Sequence, residues 1–245
     1  MTISRRTIRL LVCALGLPLV GCGSIPFRGT SDGPWTTRVG LDSSTDRNRA
    51  ASSIQLAEQF AARGQDDLAI EQYLRARQFQ PSLKGTAHPL AVLYDRQGRI
   101  DNAEREYQAA IRESPRDANL LNDYGYFLYS QGDYLAADEW LHRALNYAPD
   151  HKTARVNLAL SAAEQERYEE ALLLFERAVG PAAAHHNVGV VLARHGRMLE
   201  AEQHLLAAVK RDPSLELTGE VMAWIDADSS HSPEFVLTGH ETETW

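Results

Sequence analysis

Few residues in this chain have the types and spacing that chemistry needs. His185, His186, His195 and His204 fall close together in the sequence, and imidazoles relay protons or ligate metals. His185 and His186 are adjacent, so on a helix their side chains point about 100° apart and do not readily share one ion. His195 and His204 fall on different helices, with no acid at ligand spacing. The acid pairs Asp138-Glu139 and Glu169-Glu170 have the makings of a general acid and base. Each, however, begins a helical segment, where negative charge is favoured by the macrodipole. The chain has no phosphate-cradling glycine loop, nucleophile elbow or His-Glu zinc signature. These residues imply a protein that is not an enzyme, with no cofactor, no metal and no small-molecule substrate.

One nucleophile has a telling context. Arg5, Arg6 and Arg9 precede an apolar run from Leu10 to Val20, and Leu19-Val20-Gly21 leads into Cys22. Eleven residues fit a signal-peptide core and fall short of the roughly twenty that span a bilayer. The segment resembles the bacterial lipobox, which implies removal of residues 1–21, lipid on Cys22 and loss of Cys13 with the leader. Ser4-Arg5-Arg6-Thr7-Ile8 also looks like a twin-arginine signal, with a plain basic leader the simpler reading. Gly23 stands where an Asp would favour inner-membrane retention in such lipoproteins. The resemblance therefore implies a cell-envelope protein anchored to the outer membrane and facing the periplasm. With a net charge of −8 over 245 residues, and more acidic still without the leader, the surface repels phosphate backbones. Nucleic acid is a poor partner.

Residues 22–49 are rich in Gly, Ser, Thr, Pro and Asp without apolar periodicity and read as a flexible tether. Beyond them a period takes over. Pro81, Pro115 and Pro149 are 34 residues apart, as are Gly64, Gly98 and Gly132, and Ala69, Ala103 and Ala137. Such a period marks a repeat architecture, and these residues resemble the tetratricopeptide repeat (TPR), a helix–turn–helix unit. With the prolines at position 32, repeats run over 50–83, 84–117, 118–151, 152–181 and 182–215. Positions 20 and 27 are Ala in every unit, and position 15 is Gly except at Glu166. Position 24 is large (Tyr73, Tyr107, Leu141, Phe175, Leu205), position 7 is Leu56, Leu90, Tyr124, Leu158 and Val188, and position 8 is Ala or Gly. Small residues permit helix crossings and large ones fill the space between them. Gly at 15 ends the first helix in a left-handed turn, Asp66, Asp101 and Asp133 are placed to cap the second, and Pro at 32 stops it. The expected fold is all-α: a TPR solenoid of about five repeats plus a capping helix over 216–228, built on Leu217, Val221, Trp224 and Ile225. A polar disordered tail follows over 229–245.

In TPR proteins the first helices line a groove through positions 2, 5, 9 and 12. The resemblance assigns the wall of a protein-binding groove to Ile54, Glu58, His88, Val92, Asp95, Asn122, Tyr126, Tyr129, Val156, Leu160, His186 and Val190. A peptide or helix is the expected partner, with Tyr126 and Tyr129 as its anchors. The basic clamp of chaperone-binding TPR domains is absent, because positions 5 and 6 hold Ile54, His88, Asn122 and Val156, and Pro89, Asp123 and Asn157. Lipobox, linker and repeats together are similar to lipoproteins of pilus and secretion assembly, including secretin pilotins and the TPR lipoproteins of tight-adherence pili. The stretch from Leu121 to Leu128 is like a third-repeat segment of pilotins. The implied function is a non-catalytic, lipid-anchored scaffold for protein–protein interaction, serving pilus or secretion-system assembly. A scaffold for cell-wall-modifying enzymes is the alternative.

Overall fold

Ten helices follow one another in a computed structural model that describes residues 43–215. They are α1 (Ser43–Ala61), α2 (Asp66–Phe79), α3 (Ala87–Arg96), α4 (Ile100–Glu113), α5 (Ala118–Ser130), α6 (Tyr134–Tyr147), α7 (Lys152–Glu164), α8 (Tyr168–Val179), α9 (Pro181–Arg194) and α10 (Met198–Arg211). No strand occurs among the described residues. The expected leader, Cys22, the tether before Ser43, the capping helix over 216–228 and the tail lie outside them. Odd- and even-numbered helices pack in consecutive pairs, α1 with α2 through α9 with α10, and α3, α5, α7 and α9 touch in succession. This is the helix-pair solenoid that the 34-residue period implies.

The turn inside each pair is the same in all five repeats. Gly64, Gly98, Gly132 and Gly196 have φ between 66° and 80°, and Glu166 takes φ 61° in the equivalent place. In each repeat this residue's N–H donates three residues back, and the next N–H donates five back, as in Arg167 N–H to Ala162 O at 2.9 Å. These two bonds satisfy the last carbonyls of the first helix, and the left-handed residue makes them possible. Glu166 is the one non-glycine residue with positive φ among those described, so the bonds outweigh the steric cost of its Cβ there.

Helix crossings follow the expected small-against-large scheme, with a pairing inside it that the composition of each position hid. Ala57, Ala91 and Ala159 at position 8 share their repeats with the rings Tyr73, Tyr107 and Phe175 at position 24, and all six are buried. In the other two repeats glycine accompanies leucine. A Cβ on Gly125 would stand 2.7 Å from Leu141 Cγ, and one on Gly189 would stand 2.8 Å from Leu205 Cγ. A tetrahedral, branched Cγ takes the volume that a flat ring leaves for a methyl group. Of the position 20 and 27 alanines, only Ala178 is less than fully covered, because its short repeat ends at Gly180 and Pro181 starts α9 directly.

Several local expectations need correction. The tether expected over 22–49 gives way to helix at Ser43, where Ser43, Ser44 and Asp46 suit a helix start and no Gly or Pro follows until Gly64. Helix α3 starts at Ala87, not Lys84, since Gly85 is left-handed (φ 81°). Pro89 sits in its first turn, where a missing N–H costs nothing. Of the three expected caps only Asp133 acts as one, accepting from Ala136 N–H at 3.1 Å. Asp133 directly follows its glycine, whereas Asp66 and Asp101 lie one and two residues further on, already inside their helices. Asp66 instead accepts two hydrogen bonds from Arg96 of the next repeat, at 2.5 and 3.1 Å. Leu56 is exposed while Leu90, Tyr124, Leu158 and Val188 are buried, because position 7 packs on the preceding repeat and α1 is the first helix described.

Two outcomes test this packing. Gly125→Ala should lower stability by about 1–2 kcal/mol, the overpacking cost exceeding alanine's better helix propensity. Adding Leu141→Phe should recover most of that loss, and chemical denaturation of both singles and the double mutant measures the coupling. Glu166→Gly should stabilise by about 0.5–1 kcal/mol, since relief of left-handed strain exceeds the added entropy of the unfolded chain. A lowered melting temperature would contradict it.

Candidate protein-binding groove

The first helices of the repeats supply the wall, and burial divides its twelve expected residues. Ile54, His88, Val92, Asp95, Tyr126 and Tyr129 are half-buried and Glu58 is exposed. Asn122, Val156, Leu160, His186 and Val190 are buried, so these five are corrected from open wall to covered positions. Val156 and Leu160 belong to the core cluster of α7, α8 and α9. The small residues Ala159, Ala162 and Ala163 let those helices close together, and α7 is buried on nearly every face.

The exposed end has a definite shape. Helix α1 stands off from α3, and between them lies a cavity of about 520 Å³ lined by Glu58, Ala61, Ala62, Tyr73, His88, Pro89, Val92, Leu93 and Arg96. Its lining is mostly apolar, and three of the expected wall residues, Glu58, His88 and Val92, are in it. Of the two expected anchors, Tyr129 is a packing residue. It stacks on Tyr126 at 5.8 Å between ring centres, leans on Tyr134 and reaches Glu164 with its hydroxyl at 3.4 Å.

A chain of hydrogen bonds crosses three repeats along this wall. His88 Nε2 meets Asp123 Oδ2 at 2.8 Å, Asn122 Nδ2 donates to Asp123 Oδ1 at 3.0 Å, and Asn157 Nδ2 donates to Asn122 Oδ1 at 2.9 Å. Asn157 Oδ1 is buried with no hydrogen-bond partner among the described residues. Asp123 and Asn157 were outside the expected wall. They occupy position 6 of successive repeats, and the signal was the polar residue beside Asn122 and beside Val156 on otherwise apolar helices.

Carboxylates dominate the electrostatics. Burial first, then the charge of Asp123, pushes the Asp95 carboxyl up to about 6. Asp95 makes no side-chain hydrogen bond among the described residues. Burial and the same two aspartates push the Tyr107 hydroxyl well up, and burial and Asp95 raise that of Tyr126. Burial, then Glu58, takes Tyr73 to about 12. The cation beside the cavity, Arg96, is already held by Asp66.

Three of the four histidines, His185, His195 and His204, have partners that spacing did not reveal. His195 does have an acidic neighbour, with Nε2 3.1 Å from Glu164 Oε2 and Nδ1 2.7 Å from the Tyr168 hydroxyl. His185 and His204 join Nδ1 to Nδ1 at 3.1 Å, so one ring donates and the other accepts. Burial lowers the basicity of both. Among the described residues no group of three or more His, Cys, Asp or Glu is placed to hold a metal ion.

A carboxyl near 6 in the fold, against about 3.9 in an unfolded chain, takes up its proton more readily when folded. Its contribution to stability is fully present below about pH 4, declines as pH rises through 6, and leaves a penalty above. Asp95→Asn should therefore raise the melting temperature at pH 7.5 and leave it unchanged at pH 4. Equal shifts at the two pH values would contradict the assignment.

Known proteins bear out the repeat. Residues 116–180 match one tetratricopeptide-repeat family model and residues 89–117 a second. The type IV pilus assembly protein PilF of Pseudomonas aeruginosa is 28% identical over 171 residues, covering 69% of this chain. The match spans 64% of that relative's length. A protein adenylyltransferase Fic of Culex quinquefasciatus is 36% identical over 86 residues, which is 17% of its length. Among solved structures, that of Pseudomonas aeruginosa PilF superposes with a TM-score of 0.55 at 24% identity, covering 75% of this chain and 87% of the other. YrrB, described as a TPR protein with an unusual peptide-binding site, gives 0.58 at 20% identity over 74% of this chain and 95% of its own. PilW, described as a type IV pilus biogenesis factor, gives 0.58 at 20% over 74% and 87%. Residues 89–180 carry tetratricopeptide repeats, and the chain is similar over 69% of its length to a type IV pilus assembly protein.

Proposed function

We propose that this chain is a non-catalytic, lipid-anchored scaffold of the bacterial cell envelope that serves type IV pilus assembly by holding a protein partner against its first helices. The likeness to the pilus assembly protein PilF over 69% of the chain carries this reading. The cavity between α1 and α3, apolar with polar residues at its edge, has the character of a protein-recognition surface. Lipid on Cys22 supplies the location. Each buried methylene contributes about 0.8 kcal/mol, and several acyl chains together hold a protein on a bilayer durably. The repeats then need only modest affinity, because anchoring confines the protein to the membrane where its partner resides. Helix pairs braced by neighbouring repeats present such a surface without folding on contact, which keeps the entropic cost of binding low.

Fractionation of cells expressing wild type and Cys22→Ser tests the anchor, and electron microscopy of the same cells tests the pathway. Wild type should partition with the outer membrane, whereas Cys22→Ser should be released and surface pili reduced. Wild-type protein in the soluble fraction, or unchanged piliation in a strain lacking the protein, would contradict the proposal.

A further inference from the structure

The wall of repeats one to three pairs an apolar cavity with two aspartates, Asp95 and Asp123. Val92 lines the cavity, and Asp95 stands three residues on, on the same face of α3. His88 also lines it and hydrogen-bonds Asp123 of the next repeat at 2.8 Å. Glu58 is exposed at the opposite edge, on α1. Arg96 is occupied by Asp66. Asp123 lies close enough for its charge to raise the cost of ionising Asp95, and Asp95 has no hydrogen bond among the described residues to offset it. Two half-buried carboxylates that repel one another have a direct remedy, a cation placed between them.

We propose that repeats one to three bind a partner segment carrying a Lys or Arg beside a large apolar side chain. The cation lies between Asp95 and Asp123, and the apolar side chain enters the cavity formed by Ala61, Tyr73, Pro89, Val92 and Leu93. This rests on the reading of the repeats as a protein-binding scaffold and names the chemistry of what they bind. It reverses the charge logic of a basic clamp: here the groove is the acid and the partner the base. Electrostatic attraction of this kind speeds encounter and rejects acidic segments.

Fluorescence anisotropy on the full chain in detergent tests it, with the labelled peptide Gly-Ser-Leu-Phe-Lys-Ser-Gly and its counterpart carrying Gln for Lys. The Lys peptide should bind about tenfold more tightly than the Gln peptide, and raised salt should narrow the gap. Asp95→Asn and Asp123→Asn should each weaken the Lys peptide about fivefold and leave the Gln peptide unchanged. Melting temperature separates loss of binding from loss of fold, since Asp95→Asn is expected to be at least as stable as wild type at pH 7.5. Equal affinity of the wild type for the two peptides, or an Asp95→Asn variant that keeps the full tenfold preference, would overturn the proposal. If the peptides fail to discriminate while chemical crosslinking in cells still captures a pilus-assembly subunit on the Asp95→Asn protein, the acid pair is rejected and the scaffold reading stands.

Discussion

The close approach of paired helices is the constraint on which everything else depends. At each crossing one side must surrender its side chain, and the other must fill what remains without a gap. Ala57, Ala91 and Ala159 do this with a ring opposite, and Gly125 and Gly189 do it with a leucine. Neither solution tolerates the other's partner, so positions 8 and 24 vary together while the spacing between helices is kept. That spacing sets where the first helix of one repeat stands relative to the next, and thus the shape of the wall they share. Because contacts are mostly between neighbours, the stability of such a stack is close to a sum of local terms.

The groove inherits its character from those distances. Where small residues on α7 and α9 bring the helices together, the wall side chains Val156 and Leu160 become core. Where α1 stands away from α3, a cavity remains. Between these two regions runs the hydrogen-bonded series His88, Asp123, Asn122 and Asn157. A polar series of this kind fixes the register of three successive repeats, because sliding any one helix would leave buried amides unpaired. It also holds Asp123 where its charge is felt at Asp95, so the acid character of the groove follows from the same bonds that align the repeats.

The sequence was most legible where geometry repeats. Gly64, Gly98, Gly132 and Gly196 announce the left-handed turn, and the turn is there; Glu166 shows that the bonds it closes can impose that conformation without glycine. The alanines at positions 20 and 27 announce buried crossings for the same reason, since each recurs in all five repeats. What the period could not carry was anything that differs between repeats. Asp66 and Asp101 resemble Asp133 in type but are offset by one and two residues, enough to put them inside the helix. Leu56 follows the repeat pattern but has no preceding described helix to cover it. A repeat register names the residues that face the groove; it does not say how far apart neighbouring walls stand, so the burial of Val156, Leu160, His186 and Val190 was beyond it. The link between Asn122 and Asn157, and that between His195 and Glu164, join residues more than thirty apart. The stretch from Leu121 to Leu128 owes much of its pattern to packing: Leu121, Tyr124, Gly125 and Phe127 are all interior.

The central claim is that the face formed by the first helices, rather than the outer face of the second helices, receives the partner. Site-specific photocrosslinking in living cells tests it most directly, with a benzophenone side chain placed at Val92 on α3 or at the exposed Glu139 on α6. Adducts to an envelope protein from the Val92 position and none from Glu139 is the predicted result. Adducts from Glu139 with none from Val92 would contradict the account.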